Sequence, residues 1–232
     1  LEIARRDLIA AGKWADVALE YENLAREDGG DKGTVARRSS ANWTLTTTGK
    51  TGHSSGVFGA SLGYGAAYEL VRILDEFRRT LPEQNLTFNV GVMAAGTPAT
   101  LAANNYQVSA GGKTNIVAEQ AVARGDLRAL TPEQEAKTRV AMQAIVAKSL
   151  PGTSAKLVFQ DGYPPMSPTA GNRALLAKLN AVNRDLKLPE MAEMDPAKRG
   201  AADSAFVAAD VDTLAGLGVA GGGAHAEGEW VD

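Results

Sequence analysis

Residues 34–55 read TVARRSSANWTLTTTGKTGHSS, and they contain the clearest structural pattern of the chain. From Trp43 onward large apolar residues alternate with threonines, which is the period of a half-buried strand. After the next glycines, apolar residues recur at every third or fourth position from Phe58, which is the spacing of one helix face. The stretch therefore predicts two short strands, a turn that presents His53, and a helix over about 57–80.

Composition limits the classes of function. The 232 residues are 44% apolar, enough for a sizeable core, and 24 basic against 27 acidic residues give a formal net charge of −3. No basic surface favours nucleic acid, and no apolar run approaches the ~20 residues that span a bilayer. The absence of cysteine excludes disulfides and Cys-ligated zinc, but the compartment, cytoplasmic or periplasmic, stays open. Because the chain starts at Leu1 without a signal-peptide pattern, we expect a fragment or a processed chain.

Residues 34–161 have a repeating order of strands and helices. Beyond the first helix, the pattern predicts a strand, a long loop of low charge, a long strand with one polar face, a second helix and a last strand. These elements are, in order, residues 86–93, 94–109, 114–130, a helix with the apolar stripe Ala136, Val140, Ala144 and Ile145, and residues 155–160. The order β-β-α-β-β-α-β is typical of a ferredoxin-like α+β sandwich of helices on one antiparallel sheet.

The segments on either side of this insertion are of the α/β type. Residues 14–21 are a continuous apolar run typical of a buried parallel strand, and a helix and a strand are predicted over 172–184 and 212–218. We therefore predict an α/β domain, in segments 1–33 and 162–232, that a ferredoxin-like domain at 34–161 interrupts. We expect the α/β domain to be incomplete at both ends.

Two residues are candidate metal ligands. Asp16 belongs to the predicted parallel strand, and His225 lies in a glycine-rich loop near the end of the chain. Carboxylate oxygen and imidazole nitrogen are the ligands of cysteine-free zinc sites. A carboxylate at a strand end also commonly caps a helix or faces water, so the residues alone leave both interpretations open. His53 has the same two interpretations, because a loop histidine can be functional or simply a turn residue.

Asn115 and Arg128 lie near the two ends of the predicted strand 114–130. An arginine can grip a substrate carboxylate with two parallel hydrogen bonds, and an asparagine can donate to a developing oxyanion. The alternative is an ordinary surface arginine and a turn asparagine. The sequence pattern does not choose between them.

Five motifs follow one another in an order that resembles the co-catalytic zinc exopeptidases. They are ADVALEYE (15–22), GKTGHSS (49–55), GGKTNIVAEQAVARGDLR (111–128), RGAADSAF (199–206) and GGGAHAEGEWVD (221–232). The family includes aminoacylase, acetylornithine deacetylase, succinyl-diaminopimelate desuccinylase and glutamate carboxypeptidase. The resemblance extends over essentially the whole chain.

This resemblance implies a zinc-dependent hydrolase with a lid domain, acting on a small peptide or N-acyl amino acid with a free carboxylate. Asp16 and His225 resemble zinc ligands, and His53 resembles the lid histidine that reaches across a homodimer to the partner's scissile carbonyl. Asn115, Arg128 and Asp203 resemble the family's substrate-binding residues. Two departures are that Asn23 replaces a proline after Glu22, and that the segment before Asp203 lacks a glycine and a threonine or serine.

The family also has a His-x-Asp motif and a Glu-Glu pair upstream, which supply further zinc ligands and the general base. Neither motif occurs in these 232 residues. Two ligands cannot close a tetrahedral site, and without a base there is no group to deprotonate the attacking water. We therefore expect this piece to be catalytically silent and the intact protein to be the enzyme. The alternative is a non-catalytic dimerisation or binding module of the same fold.

Overall fold

The computed structural model describes residues 18–20, 32–218, 221–222, 227 and 230–231. The chain divides into two units. The first, called the α/β unit, comprises Leu1–Ser40, Leu130–Pro132 and Tyr163–Asp232, and the second, called the sandwich unit, comprises Ala41–Ala129 and Glu133–Gly162.

The secondary structure of both units can be given in chain order. The strands are β1 (Ala18–Glu20), β2 (Lys32–Gly33), β3 (Ser40–Gly49), β4 (Thr87–Phe88), β5 (Val92–Gly96), β6 (Ala99–Leu101), β7 (Val108–Ala110), β8 (Gln120–Arg128), β9 (Thr153–Tyr163), β10 (Ala192–Glu193), β11 (Thr213–Ala215), β12 (Gly221–Gly222) and β13 (Trp230–Val231). The α-helices are α1 (Gly65–Thr80), α2 (Pro132–Val146) and α3 (Ala170–Asp185). Short 3₁₀ helices span Ser54–Gly56, Pro196–Lys198 and Asp203–Phe206.

The sandwich unit has a sheet in which β8 lies between β3 and an edge made of β4 and β5, while β9 lies on the other side of β3. The alternation that begins at Trp43 is confirmed, because Trp43 and Leu45 are buried and Thr46 and Thr48 are exposed. The buried face packs against α1 and α2 in one hydrophobic core. In that core, the Trp43 ring meets Phe77 edge to face at 6.3 Å, and its Nε1 donates to the Asp126 carbonyl at 3.0 Å. The predicted class, two helices on one antiparallel sheet, is thus confirmed. The two short strands expected within residues 34–55 are wrong, because this stretch forms one strand, β3.

The predicted start of the first helix is wrong. The helix begins at Gly65 instead of about residue 57, and Phe58, expected on its buried face, is 55% exposed. Phe58, Gly63 and Gly65 all have φ between 69° and 76°, a left-handed conformation that ends a right-handed helix. At Gly65 the contact with Val117 leaves no room for a side chain, since an added Cβ would lie 2.4 Å from Val117 Cγ1. The helix therefore starts where Gly65 packs against Val117, a contact that the spacing of apolar residues in the sequence does not reveal.

The edge of the sheet also differs from the prediction. The expected strand 86–93 is broken into β4 and β5, which both pair with β8. Gly125 of β8 lies under the break, where an added Cβ would be 1.7 Å from the Asn89 carbonyl oxygen. The expected loop 94–109 is wrong, because it continues β5 and then forms the β6–β7 hairpin. The segment 94–109 has few charged residues and forms a paired hairpin, not an irregular loop.

Two further predictions need correction. The long strand expected over 114–130 is shorter, since β8 starts at Gln120. On α2, the expected stripe residues Ala136, Val140 and Ala144 are exposed, and Val140 is 64% exposed. Of the expected stripe, Ile145 is buried, together with Thr138, Met142 and Val146, which the stripe did not include. Alanines count as apolar in a periodicity, but the larger Met142 and Val146 gain more by burial and therefore face the core.

The α/β unit contains parallel pairs, as its apolar segments predict. Among its described residues, β1 pairs in parallel with β11 and β2 pairs in parallel with β10, and Leu176 of α3 packs with Leu214. The sequence did not indicate Asn172, a buried residue of α3. Its side-chain amide donates to the carbonyls of Val35 (2.9 Å) and Ser167 (3.0 Å), and its Oδ1 accepts from the Thr213 N–H at 2.7 Å. Asn172 thus fixes the start of α3 to β11. Among the described helices, none has the length and apolar character needed to cross a membrane.

Candidate functional site

His53 lies at the N-terminus of the 3₁₀ helix Ser54–Gly56, with extended backbone angles of φ −64° and ψ 136°. Its Nδ1 accepts a hydrogen bond from the Ser55 N–H at 3.2 Å and lies 2.8 Å from Ser55 Oγ. The residue is exposed. One edge of the ring is therefore held by the first helical turn, and the residue remains accessible to a ligand.

Asn115 is brought beside His53 by the backbone. Beyond the β3–β8 ladder the two chain segments stay paired, since the Val117 N–H donates to the Gly52 carbonyl and the Ser54 N–H donates to the Asn115 carbonyl, both at 2.9 Å. Asn115 is exposed, like His53. The two residues thus lie on adjacent segments at the same end of the sandwich unit. Imidazole and carboxamide groups can both donate hydrogen bonds to a carbonyl oxygen on which negative charge develops.

Arg128 lies at the other end of β8. It is paired in register with Thr87 of β4, about one third of its side chain is exposed, and its Nε donates to Asp126 Oδ2 at 3.0 Å. The nine residues of β8 alone span about 26 Å at the rise of a strand, and Asn115 lies beyond its first residue. The structure therefore brings His53 and Asn115 together but does not bring Arg128 to them.

Asp203, in the α/β unit, is the first residue of the 3₁₀ helix Asp203–Phe206 and is exposed. Ser204 and Ala205 are buried and hold the turn in place. Strand β1, which in the sequence separates Asp16 from Glu22, lies beside this helix. Asp16, Glu22 and His225 themselves lie outside the described residues. Within the described part of the chain, no group of three His, Asp or Glu side chains could hold a metal ion.

One surface of the sandwich unit was not indicated by the sequence. A groove of about 480 Å³, here called the edge groove, lies between α1 and the broken edge β4–β5. Its apolar lining includes Val71, Leu74, Phe77, Phe88, Val90 and Met93. Val71 of α1 and Met93 of β5 are each 57% exposed. Met93 pairs with the buried Ala123 and so lies on the face of the sheet that the helices cover. The apolar character of residues 86–93 was the one sequence signal for this surface. That these residues lie at the edge of the sheet follows from the strand order.

Charged residues line the rim of the edge groove. Asp75 and Arg78 of α1 both belong to its lining. Hydrogen bonds from Arg78 and Arg79 hold the pKa of Asp75 below its ordinary value, so this carboxylate is ionised at neutral pH. An apolar floor with a charged rim is the composition of a protein interface.

Known proteins share this architecture. In structure the chain is similar to a tripeptidase from Staphylococcus aureus, with 18% sequence identity and a TM-score of 0.64 over 88% of this chain and 49% of that one. It is also similar to the aminopeptidase PepT from Bacillus cereus, with 19% identity and a TM-score of 0.63 over 93% of this chain and 51% of that one. A third similar structure is YxeP from Bacillus subtilis, a dinuclear metal-binding peptidase of the M20 family, with 16% identity and a TM-score of 0.56 over 98% of this chain and 55% of that one. The chain spans about half the length of these structures, and at such identities they establish the fold alone. No curated protein matches.

The sequence pattern of the peptidase dimerisation domain matches residues 35–154. This range is just over half of the 232 residues and contains most of the sandwich unit. The chain therefore belongs to the M20 peptidase family and carries its dimerisation domain.

Proposed function

We propose that this chain is part of a zinc-dependent hydrolase that cleaves an amide bond in a small peptide or N-acyl amino acid with a free carboxylate, and that acts as a homodimer. Family membership supports the general class, a metallopeptidase or amidohydrolase with a dimerisation domain. The substrate type follows from the assignment of Arg128 to the carboxylate and of His53 to the scissile carbonyl.

The observation that carries the proposal is the separation of these two groups. In a small peptide the scissile carbonyl and the terminal carboxylate lie within a few ångströms of each other. His53 and Arg128 lie at opposite ends of a sheet whose strand β8 alone spans about 26 Å, so one sandwich unit cannot offer both to one substrate. A twofold dimer can, because it places His53 and Asn115 of one chain beside the substrate that Arg128 of the other holds.

The residues have distinct roles in this proposal. His53 and the Asn115 amide donate hydrogen bonds to the carbonyl oxygen as negative charge develops on it. Arg128 orients the substrate through its carboxylate, and Asp203 is a second substrate-binding residue in this proposal. Zinc, held in part by Asp16 and His225, supplies an activated water when it is bound.

The edge groove is the proposed dimer contact. The edge strands β4 and β5 both pair with β8, and the groove lies beside this edge. The exposed Val71 and Met93 lie next to that edge and would be buried in the same contact. A twofold axis brings the same patch from both chains together.

The test uses the full-length protein with dipeptides and N-acyl amino acids, with and without a metal chelator. We expect metal-dependent turnover, its loss in the His225→Ala variant, and a fall in kcat of about 10²–10³ in His53→Ala. Thr46→Ala, an exposed change on β3, is the matched control and should keep full activity. The 232 residues alone should show no turnover.

Two results would contradict the proposal. Turnover that survives both the chelator and His225→Ala would remove the metal assignment. No amide hydrolysis by the full-length protein, combined with a stable dimer, would favour the alternative of a non-catalytic dimerisation module.

A further inference from the structure

Ser55 contacts the ring of His53 with two groups at once. Its backbone N–H lies 3.2 Å from His53 Nδ1 and its Oγ lies 2.8 Å from the same nitrogen. We infer that Ser55 is a positioning residue that holds neutral His53 in the tautomer with its hydrogen on Nε2.

The tautomer follows from the donors. A backbone N–H can only donate, so Nδ1 must accept from Ser55. In a neutral imidazole one nitrogen accepts and the other carries the hydrogen, which places the hydrogen on Nε2. The Ser55 hydroxyl then donates to Nδ1 as well, because that nitrogen has no hydrogen to give.

The local backbone holds Ser55 in place for this contact. His53 occupies the N-cap position of the 3₁₀ helix, where a Ser or Asp side chain usually accepts from the first turn, and here the imidazole does so. On one side, the Ser54 N–H is fixed by the Asn115 carbonyl at 2.9 Å. On the other, the Gly56 N–H donates to the His53 carbonyl at 3.0 Å. The ring is therefore oriented by the same contacts that align His53 with Asn115.

The consequence for catalysis rests on the proposed function. With its hydrogen on Nε2, a neutral His53 can donate to a substrate carbonyl without first being protonated. The opposite tautomer would present a lone pair there and repel the developing oxyanion. Ser55 thus acts through His53, without itself touching the substrate.

The direct test is nuclear magnetic resonance of the imidazole nitrogens. The chain has two histidines, so the His225→Gln variant leaves His53 as its single imidazole. At about pH 9, where an ordinary histidine is neutral, we expect nitrogen shifts of one pure Nε2–H tautomer. Ser55→Ala keeps the backbone N–H but loses the hydroxyl, so the shifts should move part of the way toward the tautomer mixture of free histidine, and Ser55→Thr should restore them. Ser54→Ala, on the same turn, is the matched control and should leave them unchanged.

Turnover of the full-length protein gives the second readout. Loss of one hydrogen bond to the ring should lower kcat about tenfold in Ser55→Ala, with KM and melting temperature unchanged and rescue by Ser55→Thr. A wild-type ring that carries its hydrogen on Nδ1, or a Ser55→Ala variant with wild-type shifts and turnover, would overturn the inference. If instead the tautomer is as expected but His53→Ala keeps full activity, the proposed function fails and the tautomer assignment stands.

Discussion

Glu69 is the fully buried acid of α1, and its environment explains why a charge can lie in this core. Its carboxylate accepts from Arg72 Nη2 at 2.6 Å and from the Leu150 N–H at 2.9 Å. Arg72 in turn donates to the Lys148 carbonyl. The pair therefore fastens α1 to the segment that follows α2. Buried charges are tolerated when they are paired and hydrogen-bonded in this way.

Removing one partner of this pair should destabilise the sandwich unit strongly. In Glu69→Ala the guanidinium of Arg72 loses its buried partner, so we expect the free energy of unfolding to fall by about 3–5 kcal/mol in denaturant titration. Glu69→Gln, which keeps an acceptor for Leu150, should lose less. Asp75→Ala on the exposed side of α1 is the control and should give no resolvable change. A loss below about 1 kcal/mol in Glu69→Ala would mean that the pair is not structural.

At the scale of residues, the sequence motif identifies His53 and Asn115 as candidates, and the structure adds the hydrogen bond from the Ser54 N–H to the Asn115 carbonyl, which aligns their segments. The Ser55–His53 hydrogen bonds were not predictable from the motif, because many conformations of GKTGHSS keep the same spacing. The local strand and turn geometry selects the one in which Ser55 meets the ring.

At the scale of elements, the edge groove depends on how α1 lies over a broken edge strand. The helix covers the core side of β3 and β8 but leaves Val71 and Met93 exposed at the margin. Exposed apolar side chains grouped in a groove are a surface that proteins normally cover. A second copy of the chain is the occupant that the dimerisation domain implies.

Charged substitutions in the edge groove should therefore separate the dimer. We expect Val71→Asp and Met93→Asp to sediment as monomers at micromolar concentration while the wild-type chain sediments as a dimer, because each change buries an unpaired charge in the contact. Val140→Asp is the matched control, since Val140 is equally apolar and 64% exposed but lies on α2. A dimer in both groove variants, or dissociation by Val140→Asp, would move the interface elsewhere.

At the scale of the whole molecule, the proposed active site needs two chains. In the proposed site, Arg128 comes from one chain and His53 from the other, so we expect two different inactive chains to complement each other. The three-residue set of His53, Asn115 and Arg128 cannot converge within one sandwich unit, because β8 separates its ends by about 26 Å.

Co-expression of full-length His53→Ala and Arg128→Ala chains tests this directly. Each variant alone should be nearly inactive. In a random mixture, half of the dimers pair one chain of each kind and have one intact site, so we expect about one quarter of wild-type turnover. Absence of any recovery in isolated mixed dimers would place both residues at a site within one chain.

The sequence by itself determined the buried face of β3, the class of the sandwich unit with its helices on one antiparallel sheet, and the family, because alternation and motif order can be read along the chain without knowledge of its contacts. The tertiary structure decided what depends on residues distant in sequence. It set the start of α1 through the contact of Gly65 with Val117, and it placed Asn115 beside His53 through pairing beyond the sheet. It also put Arg128 at the opposite end of β8. Such contacts join segments tens of residues apart, and no periodicity within either segment records them.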